Sequence, residues 1–319
     1  MLNRRQLLLG AAAPLLSFAK PARMSGKERI DRALRGEDVD RPPFTFWYHF
    51  GLEKHPGERH AQATLDFHRR FKTDLVKVMS DFPYPKPKGN WWEVHKLDNP
   101  FPEQVRALEI IRDGVRGERY MVETIFNPWN VAEKLSSPKE VVRLKNEKPQ
   151  ALLDALEVIA ACEANHARRA IAAGAAGIFL AIANADASVM TAEDYAKFSE
   201  PFDRMVLDMV KAEKLNILHL HGGKVYLSRF HAGWPASVNH YSLHGTGVSF
   251  EETRRAYRGC LMGGIDERNY RSLTADQLRR QWQAAQTAAG KSFILAPGCS
   301  VPNETTDSEL TRLVDVLEA

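Results

Sequence analysis

The chain has 319 residues, 44% hydrophobic and 26% charged, with a formal net charge of +4. That is enough apolar material for a large globular core, no apolar run is long enough to span a bilayer, and so small a positive charge does not argue for a nucleic-acid partner. The three cysteines, Cys162, Cys260 and Cys299, are too few and too far apart for a disulfide framework.

Residues 1–22 read as a leader. Arg4 and Arg5 precede an apolar run, and Ser17-Phe18-Ala19 supplies a small-x-small cleavage site, the order of a twin-arginine export signal. Removing residues 1–19 takes the net charge from +4 to +2, because both arginines leave with them and no acid does. The expectation is an exported, periplasmic protein whose folded domain spans residues 23–319. Translation from Met24, just before a clean helical pattern, is the alternative and would leave the protein in the cytoplasm.

Past that point short apolar runs alternate with longer helical periodicities. Strands are predicted at Pro43–His49, Leu75–Ser80, Tyr120–Phe126, Gly177–Asn184, Asn216–His221, Ser237–Ser242, Cys260–Asp266 and Ser292–Ala296. Between them the patterns predict helices at Glu58–Phe71, Pro102–Val115, Leu152–Ala173, Met190–Glu213 and Leu273–Ala289, with a last one near Ser308–Leu317. Thr274 and Gln277 carry the spacing of a capping box. Eight strand–helix units argue for one (β/α)₈ barrel, with an open doubly wound sheet as the rival. No glycine-rich phosphate loop follows the first strand, which weakens the dinucleotide-binding form of that rival.

Barrel enzymes build their sites at the carboxyl ends of the strands. Those ends present His49, Asp81, Asn127, Asn184 with Asp186, His219 with His221, His240, Asp266 and then Cys299. Asp81 there can hold a cationic or N–H-bearing substrate, act as general acid or base, or simply cap a turn. Trp47, Tyr48, Trp91, Trp92 and Trp129 fall in nearby loops and suit an apolar ligand, or packing.

In "NILHLHGG" (216–223) the period of two puts His219 and His221 on one face and Leu218 and Leu220 on the other. Leucines turned to the helix layer send both imidazoles into the barrel mouth. Two histidines at i and i+2 can converge on one metal ion, and Cys299 in "APGCSVP" adds a thiolate. That set suits zinc with one open position. His240 or Asp266 is the alternative third ligand, and plain hydrogen bonding by the histidines is the alternative to a metal. Cys162 and Cys260 read as packing.

From Met24 to the C-terminus the chain resembles the uroporphyrinogen decarboxylase superfamily, which includes zinc-dependent methyltransferases serving corrinoid proteins and thiols. The likeness rests on "MSGKERIDRALRGEDVDRPP", "VMSD", "NPWNVAEKL", "ILHLHGG", "GGID" and "FILAPGCSVPNETT". It implies a (β/α)₈ barrel. Against the decarboxylases, the arginine-rich segment after the first strand is replaced by "FTFWYHFGLEKH", Lys134 stands near their tyrosine and Cys299 at their histidine. Only Asp81 agrees with their catalytic set. Against the methyltransferases' His-x-Cys and distant Cys, His219 and Cys299 agree and His221 replaces one cysteine.

The resemblance therefore implies a zinc enzyme acting on a thiol or methylated small molecule, with a corrinoid or tetrapyrrole as substrate or partner ligand and a corrinoid protein as partner. In this reading Asp81 and His240 are catalytic, and His49, Asn127, Asn184, Asp186 and Asp266 bind substrate. A tetrapyrrole decarboxylase and a non-catalytic exported corrinoid- or tetrapyrrole-binding protein are the alternatives.

Overall fold

In the computed structural model, which describes residues 23–318, seven parallel strands pair in chain order. They are β1 (Leu75–Val78), β2 (Tyr120–Phe126), β3 (Ile178–Ile182), β4 (Ile217–Leu220), β5 (Val238–Tyr241), β6 (Cys260–Ile265) and β7 (Phe293–Pro297). Each falls within or at the edge of a predicted run, and twelve α-helices accompany them among the described residues. The predicted export signal at residues 1–22 lies outside the described residues.

The eighth strand, predicted at Pro43–His49, is not a ladder. Its only pairing is one parallel bridge, Phe44 to Leu295. Leu295 N–H donates to the Pro43 carbonyl (2.8 Å) and Thr45 N–H donates back to Leu295 (3.1 Å), while Asp74 N–H donates to Phe44 on the other side (2.8 Å). The segment thus reaches both edges of the sheet.

The predicted helix Met190–Glu213 is two helices, Ala192–Phe198 and Glu200–Asp208. Ser199 leaves helical geometry (φ −135°, ψ −55°) and Pro201 cannot supply the N–H that would continue the ladder. Elsewhere local chemistry agrees with prediction: Thr274 and Gln277 form the capping box of Ala275–Ala289. Four helices were missed, Pro128–Leu135, Pro138–Glu147, Leu243–Thr246 and Phe250–Arg254, capped by Asn127, Ser137, Ser242 and Ser249. All four are short, and the prolines that open the first two read as turn signals.

Alternation divides the core into layers. Leu75, Met79, Val122, Phe179, Ile217, Met262 and Ile294 share an interior cluster with Trp47. Leu218 and Leu220 instead join the cluster containing Val206, Leu207 and Phe230 from the helix layer. Full burial of a leucine contributes about 1.5–3 kcal/mol, so a one-residue slip of β4 would forfeit both and turn its histidines outward.

Candidate metal centre and adjoining cavity

β4 is paired so that His219 lies between Ala181 of β3 and His240 of β5. The small Ala181 leaves room on one side. The His219 ring stacks on Phe179 (centroids 5.1 Å apart, planes at 27°) and on His240 (4.7 Å, 26°). Its Nδ1 has no hydrogen-bond partner, so this stacking, rather than an acceptor behind the ring, sets its orientation.

Nε2 of His219 lies 3.7 Å from Sγ of Cys299. His221, one turn of the strand pleat further out and exposed, completes a group whose three donor atoms lie within 4.8 Å of one another. Donors about 2.0–2.3 Å from a tetrahedral zinc stand roughly 3.3–3.8 Å apart, so the His219–Cys299 pair already has that spacing. The residues fit a zinc ion with an open fourth position.

Protonation suits the same role. Burial, then the neighbouring His240, His221 and Lys77, hold His219 far below the usual imidazole range, which leaves it a neutral donor. Burial alone would raise the Cys299 thiol, but the contact with His221 and hydrogen bonds from Ser300 bring it below its ordinary value. That same thiol raises His221 against the effect of burial. Cysteine and exposed histidine thus favour each other's charged forms.

Two close approaches position these ligands. A Cβ on Gly298 would stand 2.4 Å from the Ser242 side chain, so glycine there lets the loop after β7 pass tightly over β5 before Cys299. At Gly222, where φ is +136°, a Cβ would fall on the Asp186 carboxylate. That carboxylate accepts from Lys224 N–H (2.7 Å) and Ser188 N–H (2.7 Å), tying down the turn that follows His221.

The other predicted residues separate into three groups. His49 Nδ1–H donates to Asp81 (2.7 Å), and Phe50 N–H reaches the second oxygen at 3.3 Å. This pair lines a cavity of about 310 Å³ with Lys134, Phe126 and Glu163. A second cavity, about 410 Å³, contains the His219–His221–Cys299 group and shares Phe126 and Lys134 with the first.

Asn127 and Asn184 are elsewhere. Asn127 Nδ2 donates to Asn184 (2.7 Å), Ser199 (3.1 Å) and Asp203 (2.9 Å), a fully buried network beneath the helix ends with no opening toward either cavity. Asp186 and Asp266 organise their own turns; Asp266 accepts from Arg268 and Asn269 N–H. None of these four lines the two cavities, so substrate binding by them is not what their contacts describe. His240 is likewise fully buried below the triad. Its Nε2–H donates to the Pro297 carbonyl (2.8 Å), and burial pushes it down to about 3. It braces the strand end that precedes Cys299 and lines neither cavity. Neither His240 nor Asp266 replaces Cys299 in the donor group.

The expected aromatic rim is mostly packing. Trp47 is buried edge-on to Phe179 and His240, and Trp129 is buried with its indole N–H on Glu133 (2.8 Å). The cavity rings are instead Phe82, Tyr84, Phe101 and Phe126. Sequence reading also missed Lys77. It projects into the interior from β1 with its ammonium over the Trp47 and Phe179 rings (4.8 and 4.5 Å), and burial lowers it to about 7. The signal was there: Lys77 lies in phase with the inward Leu75 and Met79, and Glu163 interrupts the apolar face of its helix.

The sequence model of the uroporphyrinogen decarboxylase family (URO-D) matches residues 85–319. Curated relatives include the uroporphyrinogen decarboxylase of Synechococcus sp. (strain JA-3-3Ab), 23% identical and covering 96% of each chain. That of Prochlorococcus marinus (strain MIT 9211) is 25% identical over 62% of this chain and 70% of its own length. Among solved structures, a methyltransferase from Methanosarcina mazei superposes with a TM-score of 0.76 at 19% identity, covering 93% of this chain and 99% of its own. A B12-independent methionine synthase from Shewanella sp. W3-18-1 reaches 0.55 at 9% identity, with coverages of 87% and 94%. These likenesses are of fold.

The charge coupling at the triad yields a measurable order of reactivity. In metal-free protein at pH 7, iodoacetamide should alkylate Cys299 well before Cys162 or Cys260, since thiolate is the reactive form and burial pushes Cys260 up to about 12. His221→Ala removes the group that lowers Cys299, so its alkylation should slow severalfold at pH 7 and converge on wild type as pH rises above the thiol's range. Mass spectrometry of the labelled peptides reads the order; equal labelling of Cys260 and Cys299 would contradict it.

Proposed function

The chain belongs to the uroporphyrinogen decarboxylase family, and from that premise we propose that it is a metal-dependent enzyme of the methyltransferase kind, moving a methyl group to or from a thiol. The observation that carries this reading is the convergence of His219, His221 and Cys299 at the barrel mouth. The fold likeness to a methyltransferase supports it.

His219 would hold a zinc ion from the barrel interior and His221 and Cys299 from the rim. The ion's contribution is Lewis acidity, which keeps a substrate thiol deprotonated at neutral pH. The rest falls to the chain. The stacked Phe179 and His240 rings keep His219 fixed and dry. Asp186 and Gly222 hold the turn below His221, and the His240–Pro297 bond braces the strand that delivers Cys299. Asp81, its charge secured by His49 and Phe50, stands in the adjoining cavity to orient the substrate. A corrinoid protein is one source of the methyl group in this reading.

Both curated relatives carry the name decarboxylase, which favours tetrapyrrole decarboxylation as a second reading. Asp81 would then face pyrrole N–H groups. The segment 44–55, "FTFWYHFGLEKH", has one lysine and no arginine, a poor partner for several carboxylate side arms. We expect no turnover of uroporphyrinogen in a chromatographic product assay; turnover at a decarboxylase's rate would reverse the order of the two readings. We also propose export through the Arg4-Arg5 leader. N-terminal sequencing of the periplasmic fraction should find a start near residues 20–23, and protein confined to the cytoplasm starting at Met24 would refute it.

The central prediction is about one zinc per chain by elemental analysis. His219→Ala, His221→Ala and Cys299→Ala should each lower affinity by more than about 100-fold, since loss of a mere orienting partner already costs 10–100-fold. Cys162→Ala and Cys260→Ala should leave the zinc content unchanged. Stoichiometric zinc in all three ligand variants would sink the assignment.

A further inference from the structure

We propose that the 310 Å³ cavity beside the triad is a binding site for a methylated onium cation, a quaternary ammonium or sulfonium compound, held by the Glu163 carboxyl and the surrounding aromatic faces. It deepens the methyl-transfer reading, on which it rests only for the cation's role as donor.

Glu163 projects from the helix Pro149–Ala172, is 2% exposed and lines the cavity. Among the described residues it makes no hydrogen bond and no ion pair. Its neighbour in the helix layer, Glu123, is by contrast paired with His166 (2.9 Å) and Gln104 (2.9 Å). A largely buried carboxyl that receives no donor from the chain and opens only on the cavity is a group whose partner the cavity's occupant can supply. Burial raises it to about 8, with Lys134 lowering it and Glu123 raising it further.

What surrounds Glu163 narrows the partner. Phe82, Tyr84, Phe101 and Phe126 wall the cavity, and Asp81 adds a second carboxylate. Faces of aromatic rings beside carboxylate oxygens attract a weakly hydrated cation and ask for no N–H donors from it. The rim already behaves this way. The Lys134 ammonium, with no acid in ion-pair range among the described residues, lies 2.8 Å from the Phe126 ring centroid. Lys134 is thus an internal competitor for an entering cation. Lys86, Glu53 and His49 are the remaining charged or titratable groups of the lining.

The cavity shares Phe126 and Lys134 with the one holding the triad, so a donor here lies next to where a thiol would be activated. The transfer balances without a further reactant. The thiolate sulfur attacks the methyl carbon, a carbon–sulfur bond forms, and the bond from that carbon to the onium atom breaks. The departing amine or sulfide keeps the electron pair. An anion and a cation become two neutral molecules, with no proton or redox change, which a water-poor aromatic wall favours.

The test is calorimetric titration of the zinc-treated protein with tetramethylammonium and trimethylsulfonium chloride, with tert-butanol as the neutral isostere. Saturable binding of both cations and none of tert-butanol is expected. At pH 7 cation binding should release a proton from Glu163, read as a dependence of the heat on buffer ionisation. Glu163→Gln should weaken binding at least tenfold and abolish the proton release. Lys134→Met should tighten it. Equal binding of tert-butanol, an unchanged affinity in Glu163→Gln, or weaker binding in Lys134→Met, the mark of an anion site, would each overturn the proposal. Zinc content separates the two readings. Zinc without cation binding removes only the cavity's assignment, and cation binding without zinc removes only the metal's.

Discussion

The stacking of His219 between Phe179 and His240 is the contact on which the site depends. A buried imidazole with an unpaired Nδ1 would ordinarily be free to turn, and here two flat rings on neighbouring strands prevent it. The register that pairs His219 with Ala181 and His240 makes the stack possible. That register is in turn held by Leu218 and Leu220, whose burial in the helix layer a slipped strand would lose.

Charge is distributed across the site with a clear division. Inside, His219 and His240 are neutral by burial, and burial lowers Lys77, over its aromatic faces, to about 7. At the rim, His221 and Cys299 stabilise each other's charged forms. A cation arriving between these layers meets lone pairs from below and a thiolate from the side. The neighbouring cavity has the complementary character, with a fixed carboxylate at Asp81, an unpaired carboxyl at Glu163 and apolar walls.

The family assignment and the departures from its decarboxylase pattern fit one physical picture. The segment "FTFWYHFGLEKH", which in the resemblance stands where the decarboxylases have an arginine-rich one, includes His49, whose Nδ1–H secures Asp81. Lys134, near the decarboxylases' tyrosine, stands at the junction of the two cavities, and Cys299, at their histidine, enters the triad. These three positions are neighbours in space although they are far apart in sequence. They change the lining of one mouth while the sheet beneath it keeps its order.

Period-two alternation is a local property of the backbone, so the sequence by itself determined the seven paired strands and the inward face of His219 and His221, while the choice of Cys299 over His240 or Asp266 beside them came from tertiary structure. Capping chemistry is equally local, and Thr274 with Gln277 marked a helix start that the structure has. The eighth strand was beyond that reach, because whether Pro43–His49 forms a ladder or a single bridge depends on what two distant sheet edges offer it. A polar residue at a strand end looks the same whether it faces the mouth or its own turn. Only tertiary structure could therefore separate Asp81, which faces the cavity, from Asp186 and Asp266, which tie loops, and from Asn127 and Asn184, buried in their own network. The same holds for Glu163. Its helix reads as apolar and amphipathic, and its lack of a partner depends on which side chains from other segments come within hydrogen-bond reach, a condition that no stretch of sequence contains.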